Sequence, residues 1–105
     1  MNVAIRNSEI VGTPKRRGGV LLYPLDEEAV VYDVAHDVLH YLNATARFIW
    51  ERCDGNRTIA EIADELNEVF DLDGSGETSA EEIVADVRNT LANLSGNGLM
   101  ERTGL

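Results

Sequence analysis

The feature that most constrains the fold is a continuous apolar stripe in the second half of the chain. Apolar residues recur there at helical spacing, namely Ile59, Ile62, Ala63, Leu66, Val69 and Phe70. A stripe of this kind indicates a helix that packs one face against a core. Thr58 followed by Glu61 forms a capping box at the start of this helix. The stripe therefore predicts a helix that begins after Thr58 and ends near Phe70.

Two further helices are predicted on either side of this one. The first carries Ala46, Ile49, Trp50 and Cys53 at the same spacing, with Asn43 or Thr45 as its N-cap and Gly55 just past its end. The third begins at Ser79, has Glu82 three residues on, and ends at "SGNG" over residues 95–98. Its apolar side consists of Ile83, Val84, Val87, Leu91 and Leu94. In the first of these helices, the helical spacing of Cys53 with Ile49 and Trp50 predicts that Cys53 is a buried packing residue.

The first 42 residues follow a different pattern. Three short runs rich in Val, Leu and Tyr, "GVLLYPL", "AVVYDV" and "DVLHYL", are separated by "DEE" and "AHD". Such runs predict three antiparallel strands joined by two hairpins. The sequence thus predicts an α+β domain over residues 19–101, with a three-stranded sheet followed by three helices. Residues 1–18 are interpreted as a poorly ordered arm and residues 102–105 as a C-terminal tail.

The charge of the chain is concentrated in one segment. The 105 residues, about one domain's worth, carry a net charge of −10. Ten carboxylates and no Lys or Arg lie between Thr58 and Val87. A face this acidic repels phosphate groups, which argues against a nucleic-acid partner. A helix-turn-helix protein would also need a basic recognition helix, whereas the third helix carries only Arg88.

Several other classes of protein are disfavoured by what the sequence lacks. No stretch has the length and apolarity of a membrane span or a signal peptide, and the one cysteine forms no internal disulfide, so we expect a cytoplasmic protein. No catalytic triad or phosphate-binding loop is visible, so we expect no enzyme activity. His36 and His40 would need helical spacing to converge on a metal, but they fall in a predicted turn and strand, which favours ordinary turn residues.

The stretch "DLDGSGETSAEE" has the ligand spacing of an EF-hand loop. Oxygen ligands would come from Asp71, Asp73, Ser75, Glu77 and Glu82, with Gly76 at the sharp turn. Against calcium, no second loop is found, Thr78 occupies a position that is usually apolar, and Glu82 is explained by the cap with Ser79. A loop rich in Gly, Ser, Asp and Glu is also typical of a solvated connection. A calcium-binding domain therefore stays the alternative; otherwise no cofactor is expected.

Three spaced blocks of the sequence resemble the PqqD family, named for pyrroloquinoline quinone synthesis protein D. The blocks are "LNATARFIW" from Leu42, "CDGNRTIAEIA" from Cys53, and "DVRNTLANLSGNGL" from Asp86. The likeness covers about residues 19–101. The second hairpin is longer than in the quinone-pathway members, and "DLDGSGETS" is interpreted as an insertion.

The resemblance implies a winged-helix-like recognition element that binds the leader segment of a ribosomally made precursor peptide. Such domains perform no chemistry themselves and present the peptide to a modifying enzyme, often a radical SAM enzyme. The resemblance places the peptide on a strand edge formed by Val38, Leu39, His40, Tyr41 and Leu42. It places Val87, Leu91 and Leu94 on the floor of a pocket beside the third helix, with Asp86 and Arg88 towards the rim.

The chemistry of the backbone supports peptide binding at such an edge. A strand at the border of a sheet has unpaired N–H and C=O groups, to which an extended peptide adds as a further strand. Pairing of two copies of the chain through the same edge is left open. Alternation implies that about half of the edge residues face the core. By spacing alone, Leu91 and Leu94 fit the core better than a peptide pocket, and only the family resemblance favours the pocket equally.

Overall fold

Three antiparallel strands form one sheet. The computed structural model describes residues 12–70 and 80–101. Strands β1 (Val20–Leu25), β2 (Glu28–Asp33) and β3 (Val38–Leu42) are ordered β1-β2-β3, so each connection is a hairpin. The predicted strands and hairpins are confirmed. Asp26 and Asp37 have φ of 58° and 56° in the two turns, a left-handed conformation that Asp tolerates better than most residues.

The two faces of the sheet differ in burial, as the alternation of a strand requires. Ala29, Val31 and Asp33 of β2 are buried on the inner face. The outer face presents Leu21, Tyr23, Leu39 and Tyr41, whose exposed fractions lie between 48% and 66%. The register places Leu39 beside Tyr32 and Tyr41 beside Val30 on this outer face.

Three helices follow the sheet, as predicted. They are α1 (Ala44–Glu51), α2 (Ile59–Phe70) and α3 (Ala80–Gly96). Asn43 is the N-cap of α1, where its Oδ1 accepts from the Ala46 N–H at 2.8 Å. The capping box of α2 is formed: Thr58 N–H donates to Glu61 Oε1 at 2.8 Å, and Glu61 N–H donates to Thr58 Oγ1 at 3.1 Å.

The core lies where the three helices meet the inner face of the sheet. Its buried apolar residues come from β2, β3, all three helices, the α1–α2 connection and the chain after α3: Val31, Leu42, Ile49, Trp50, Cys53, Ile59, Ile62, Ala63, Leu66, Ile83, Val87, Leu91, Leu94, Leu99 and Met100. Within the predicted stripe of α2, Val69 is the exception, because it is 61% exposed, whereas Phe70 beyond it packs against the core. Cys53 is fully buried as predicted, and burial raises the pKa of its thiol to about 12.

Residues 14–17 belong to the folded domain, which corrects the prediction of a flexible arm over residues 1–18 in this part. The N–H groups of Arg16 and Arg17 donate to the carbonyls of Cys53 and Leu99 at 2.8 and 3.0 Å. The Pro14 and Lys15 carbonyls accept from Gly55 and Glu101. A basic, glycine-flanked segment is ordered here because its backbone bonds to two distant parts of the chain, which local sequence does not reveal.

Some predictions fall outside the described residues. These are the first part of the arm, residues 1–11, the predicted calcium ligands from Asp71 to Glu77, and the tail 102–105. Within residues 12–70 and 80–101, no helix combines the length and apolarity that crossing a membrane requires.

Candidate functional site

The free edge of β3 is the first element of the candidate site. β3 pairs with β2 on one side only, and no strand within the described residues pairs with its other side. Strand β1 is also at a border, but it contains Pro24, which has no N–H to donate. β3 contains no proline. Of the two borders of this sheet, β3 therefore offers the complete set of backbone donors and acceptors to an added strand.

A cleft separates β3 from α3. α3 packs on α1 and α2, whereas every Cα of β3 lies more than 8 Å from every Cα of α3. Neighbouring strands in a sheet are about 4.8 Å apart. An extended chain bonded to the free edge of β3 would therefore lie on the side where α3 forms the opposite wall.

The cleft contains a hollow of about 280 Å³ at the end of β3. Its floor includes the buried Leu42 and Leu94. Among the residues that the structure describes, no charged side chain lines this hollow, which is bordered by Tyr41, Leu42, Asn43, Thr45, Ala46, Thr90, Asn93, Leu94 and Asn97. The hollow therefore offers an apolar floor and a rim of neutral hydrogen-bonding groups.

A second hollow, of about 360 Å³, lies near the start of β3. It shares Asn97 with the first and is bordered by Asp33, His36, Val38, His40, Gly96, Asn97 and Gly98. The two hollows thus border opposite ends of β3. The first is lined by neutral groups, whereas the second is bordered by two histidines and Asp33. A larger hollow of about 590 Å³ lies between the β1–β2 turn, α1 and the end of α2, and it does not include any residue of β3.

A partly buried ion pair anchors the start of β3. Asp33 is 3% exposed, and Arg17 Nη2 donates to its Oδ1 at 2.7 Å. Nδ1 of His36 lies 2.9 Å from the other carboxylate oxygen, and the His36 N–H donates to Oδ1 at 3.3 Å. Arg17, opposed in part by desolvation and assisted by His36, lowers the pKa of Asp33 from 3.8 to about 2. The cluster ties residues 14–17 to the β2–β3 turn.

This cluster predicts acid sensitivity. Because the pKa of Asp33 is lower in the folded protein than in the unfolded chain, its contribution to stability is complete above about pH 5 and is lost as the pH falls towards 2. Asp33→Asn should therefore lower the melting temperature at pH 7, and the difference from wild type should shrink between pH 4 and about pH 2. Thermal melts over this range measure it. Asp86→Asn, at an exposed position of α3, is the control; an Asp33→Asn deficit that stays constant with pH would contradict the ion-pair assignment.

The five predicted edge residues lie together on β3 but face different ways. Leu39 and Tyr41 are 66% and 60% exposed on the outer face, Val38 is exposed, and His40 is half-buried. Leu42 is 4% exposed and belongs to the core. Alternation therefore leaves one predicted edge residue, Leu42, with a side chain that is almost wholly covered.

The predicted pocket residues of α3 require correction. Val87 and Leu91 are fully buried, and neither borders the cleft. Leu94 is 3% exposed and reaches only the floor of the first hollow. Arg88 is exposed but borders neither hollow, because successive residues of a helix are rotated by about 100°, which places it well away from Thr90. The stripe that packs the core is not available to line a pocket.

The polar residues that line the cleft on this side are Thr90 and Asn93 of α3 and Asn97, which follows its last residue. The predictions do not include them, because the family resemblance places the pocket over the apolar residues of this helix, with Asp86 and Arg88 towards its rim. The sequence does contain a pattern that could have identified these three residues. They form a polar series at i, i+3 and i+7, next to the series of buried apolar residues. The described residues contain no group of three or more His, Cys, Asp or Glu side chains placed to hold a metal ion.

Comparison with known proteins gives one family and several similar structures. Residues 28–100 match the family model described as coenzyme PQQ synthesis protein D (PqqD). No protein with a curated description matches the chain significantly in sequence. The family match lends no support to the alternative prediction of an EF-hand-like calcium-binding domain.

Three solved structures share the fold. TbiB1 in complex with the TbiA(beta) leader peptide superposes with a TM-score of 0.70 at 20% identity, covering 87% of this chain and 99% of that one. Lasso peptide synthetase B1 complexed with the leader peptide gives 0.69 at 20% identity, with coverage of 86% and 99%. The PqqD truncation of Methylobacterium extorquens PqqCD, described as a functional, stand-alone recognition element for ribosomally synthesised and post-translationally modified peptides, gives 0.63 at 25% identity, with coverage of 85% and 88%. The predicted α+β architecture is thereby confirmed.

Proposed function

This chain belongs to the PqqD family, and from that premise we propose that it binds the leader segment of a ribosomally synthesised precursor peptide along the free edge of β3. The observation that carries the proposal is the proline-free border of β3, which faces a cleft whose opposite wall is α3. The two similar lasso-peptide proteins are complexes with leader peptides. Their fold covers most of this chain, which supports the same use of the fold here.

The peptide would bind as a fourth strand of the sheet. Main-chain hydrogen bonds to β3 supply affinity that does not depend on sequence, and hollows under alternate side chains supply specificity. In an extended peptide, side chains that point the same way are about 6.6 Å apart, so successive inward side chains meet different parts of the cleft. The cleft offers two hollows, one at each end of β3, for such side chains.

The domain would present the bound peptide to a separate modifying enzyme, of the radical SAM class or another class, and would perform no chemistry itself. Two groups that could act as nucleophile or base are occupied by structural roles. The thiol of Cys53 is buried, donates to the Ile49 carbonyl at 3.2 Å, and has its pKa raised to about 12 by burial. Asp33 is held as a carboxylate by Arg17. We place the domain in the cytoplasm, where such peptides are made and modified.

Titration of the isotope-labelled domain with a synthetic leader of the precursor encoded beside it tests this proposal. We expect saturable binding, with the largest NMR shifts at the amides of residues 38–42 and 90–97, because these groups line the edge and the opposite wall. A scrambled peptide of the same composition is the control. Saturable binding that leaves both sets of amides unchanged would contradict the site, and equal binding of the scrambled peptide would contradict specific recognition.

A further inference from the structure

We propose that the hollow at the end of β3 selects a leader side chain that is uncharged and carries a hydrogen-bonding group, and that Asn93 and Asn97 determine this specificity. The inference rests on the proposed function, since it names the kind of residue that the same site accepts. It comes from the lining of the hollow, which includes no charged residue, whereas four other hollows of the described structure are each bordered by at least one.

Absence of charge is the first argument. Charged residues make up 27% of the chain, yet none of the nine residues that border this hollow is charged. A Lys, Arg, Asp or Glu side chain that enters it would lose water and find no opposite charge. The strong net charge of −10 is located elsewhere along the chain, mainly between residues 58 and 87. The hollow is therefore selective against charge of either sign.

The second argument is the division of the hollow into floor and rim. Leu42 and Leu94, exposed by 4% and 3%, form an apolar floor. The rim on the α3 side consists of Thr90 and Asn93 of α3 and of Asn97 just after its end, which carry hydroxyl and carboxamide groups at i, i+3 and i+7. A purely apolar side chain would contact the floor but would displace water from these groups without replacing its hydrogen bonds. A side chain with an apolar stem and a neutral polar tip satisfies both parts.

Asn93 and Asn97 are better placed than Asn43, the other amide of the hollow, to form hydrogen bonds with the polar end of the leader side chain. The Oδ1 of Asn43 is already engaged, because it accepts from the Ala46 N–H at 2.8 Å as the cap of α1. Asn93 and Asn97 are one helical turn apart, and both are exposed on the wall that faces β3. A carboxamide both donates and accepts, so these residues pair with hydroxyl or amide groups of the peptide. The hollow, at about 280 Å³, has room for one side chain.

Binding measurements with a set of leader peptides test this inference. In the set, each position of the synthetic leader is replaced in turn by Gln, Leu or Lys. For the wild-type domain we expect one position at which Gln is accepted, Leu weakens binding by about tenfold, and Lys weakens it more. Asn93→Leu should reverse the order of Gln and Leu at that position. Asn93→Asp should make Lys the preferred residue there, because it supplies the missing opposite charge.

Asn89→Leu is the matched control, since Asn89 is an exposed residue of the same type on the same helix and does not border the hollow. Both positions are exposed and Leu favours helix, so folding should be preserved, which circular dichroism checks. If wild type binds the leader but both Asn93 variants rank the peptides as wild type does, the inference is overturned while the proposed function stands. If wild type binds no leader, the proposed function fails and the inference fails with it.

Discussion

Leu91→Ala should lower the free energy of unfolding by about 2–5 kcal/mol, a large part of the stability of a domain of this size. The reason is that Leu91 is fully buried in the core, where loss of its side chain removes contacts and leaves a cavity. Urea denaturation followed by circular dichroism measures the change. The affinity of the folded fraction for the leader should stay close to wild type, because Leu91 does not border the cleft.

Leu39→Ala is the matched control, because it makes the same change at a residue that is 66% exposed on β3. Its effect on stability should stay within about 0.5–1 kcal/mol. The comparison separates the two interpretations that the sequence left open for Leu91. A stable Leu91→Ala protein that had lost its affinity for the leader would place Leu91 in the peptide pocket and contradict the packing described above.

The second large effect concerns the backbone of the leader. Methylation of single backbone nitrogens along the peptide should weaken binding strongly at every second residue and weakly at the residues between. In an added strand, alternate N–H groups point towards β3 and the others point away. Each methyl group that points towards β3 removes one hydrogen bond and keeps the two strands apart. Each such change should weaken binding by about tenfold or more. Fluorescence anisotropy with a labelled leader measures the series.

Methylation outside the segment that contacts the domain is the control, and it should leave the affinity unchanged. The informative quantity is the spacing, along the leader, of the positions at which methylation weakens binding. Losses that recur every third or fourth residue would indicate a helical ligand, which would be incompatible with addition to the edge of β3. Equal losses at all positions would indicate that the peptide does not use a fixed strand register.

The sequence predicted the secondary structure well because the relevant signals are local. The capping box at Thr58 and Glu61, the Asn43 cap, and the short β-branched and aromatic runs each depend on neighbours within a few residues. Two hairpins in succession leave little choice of sheet order. The fold class followed from these elements without knowledge of distant contacts.

Prediction of the site was less complete for a physical reason. The strand edge depends on strand order, which the hairpins fix, and it was assigned correctly to residues 38–42 as a border. The lining of the cleft depends instead on the rotation of α3 about its axis. Periodicity identifies one apolar side, and that side packs the core. Only the family resemblance places Val87 and Leu91 at a pocket floor, and both are fully buried. The polar flank with Thr90 and Asn93 has no apolar signal, and only tertiary packing reveals it.

The backbone pairing of residues 14–17 also has a consequence for modular design. The Lys15 carbonyl accepts from the Glu101 N–H at 2.8 Å, and Arg16 pairs with Met100, so the two ends of the described domain lie side by side. None of these residues borders either hollow of the cleft. A domain with adjacent ends can be placed within a loop of another protein, or tethered at either end, with little strain on the host. A domain with this fold can thus exist either as a separate protein or as a segment inserted in a larger enzyme.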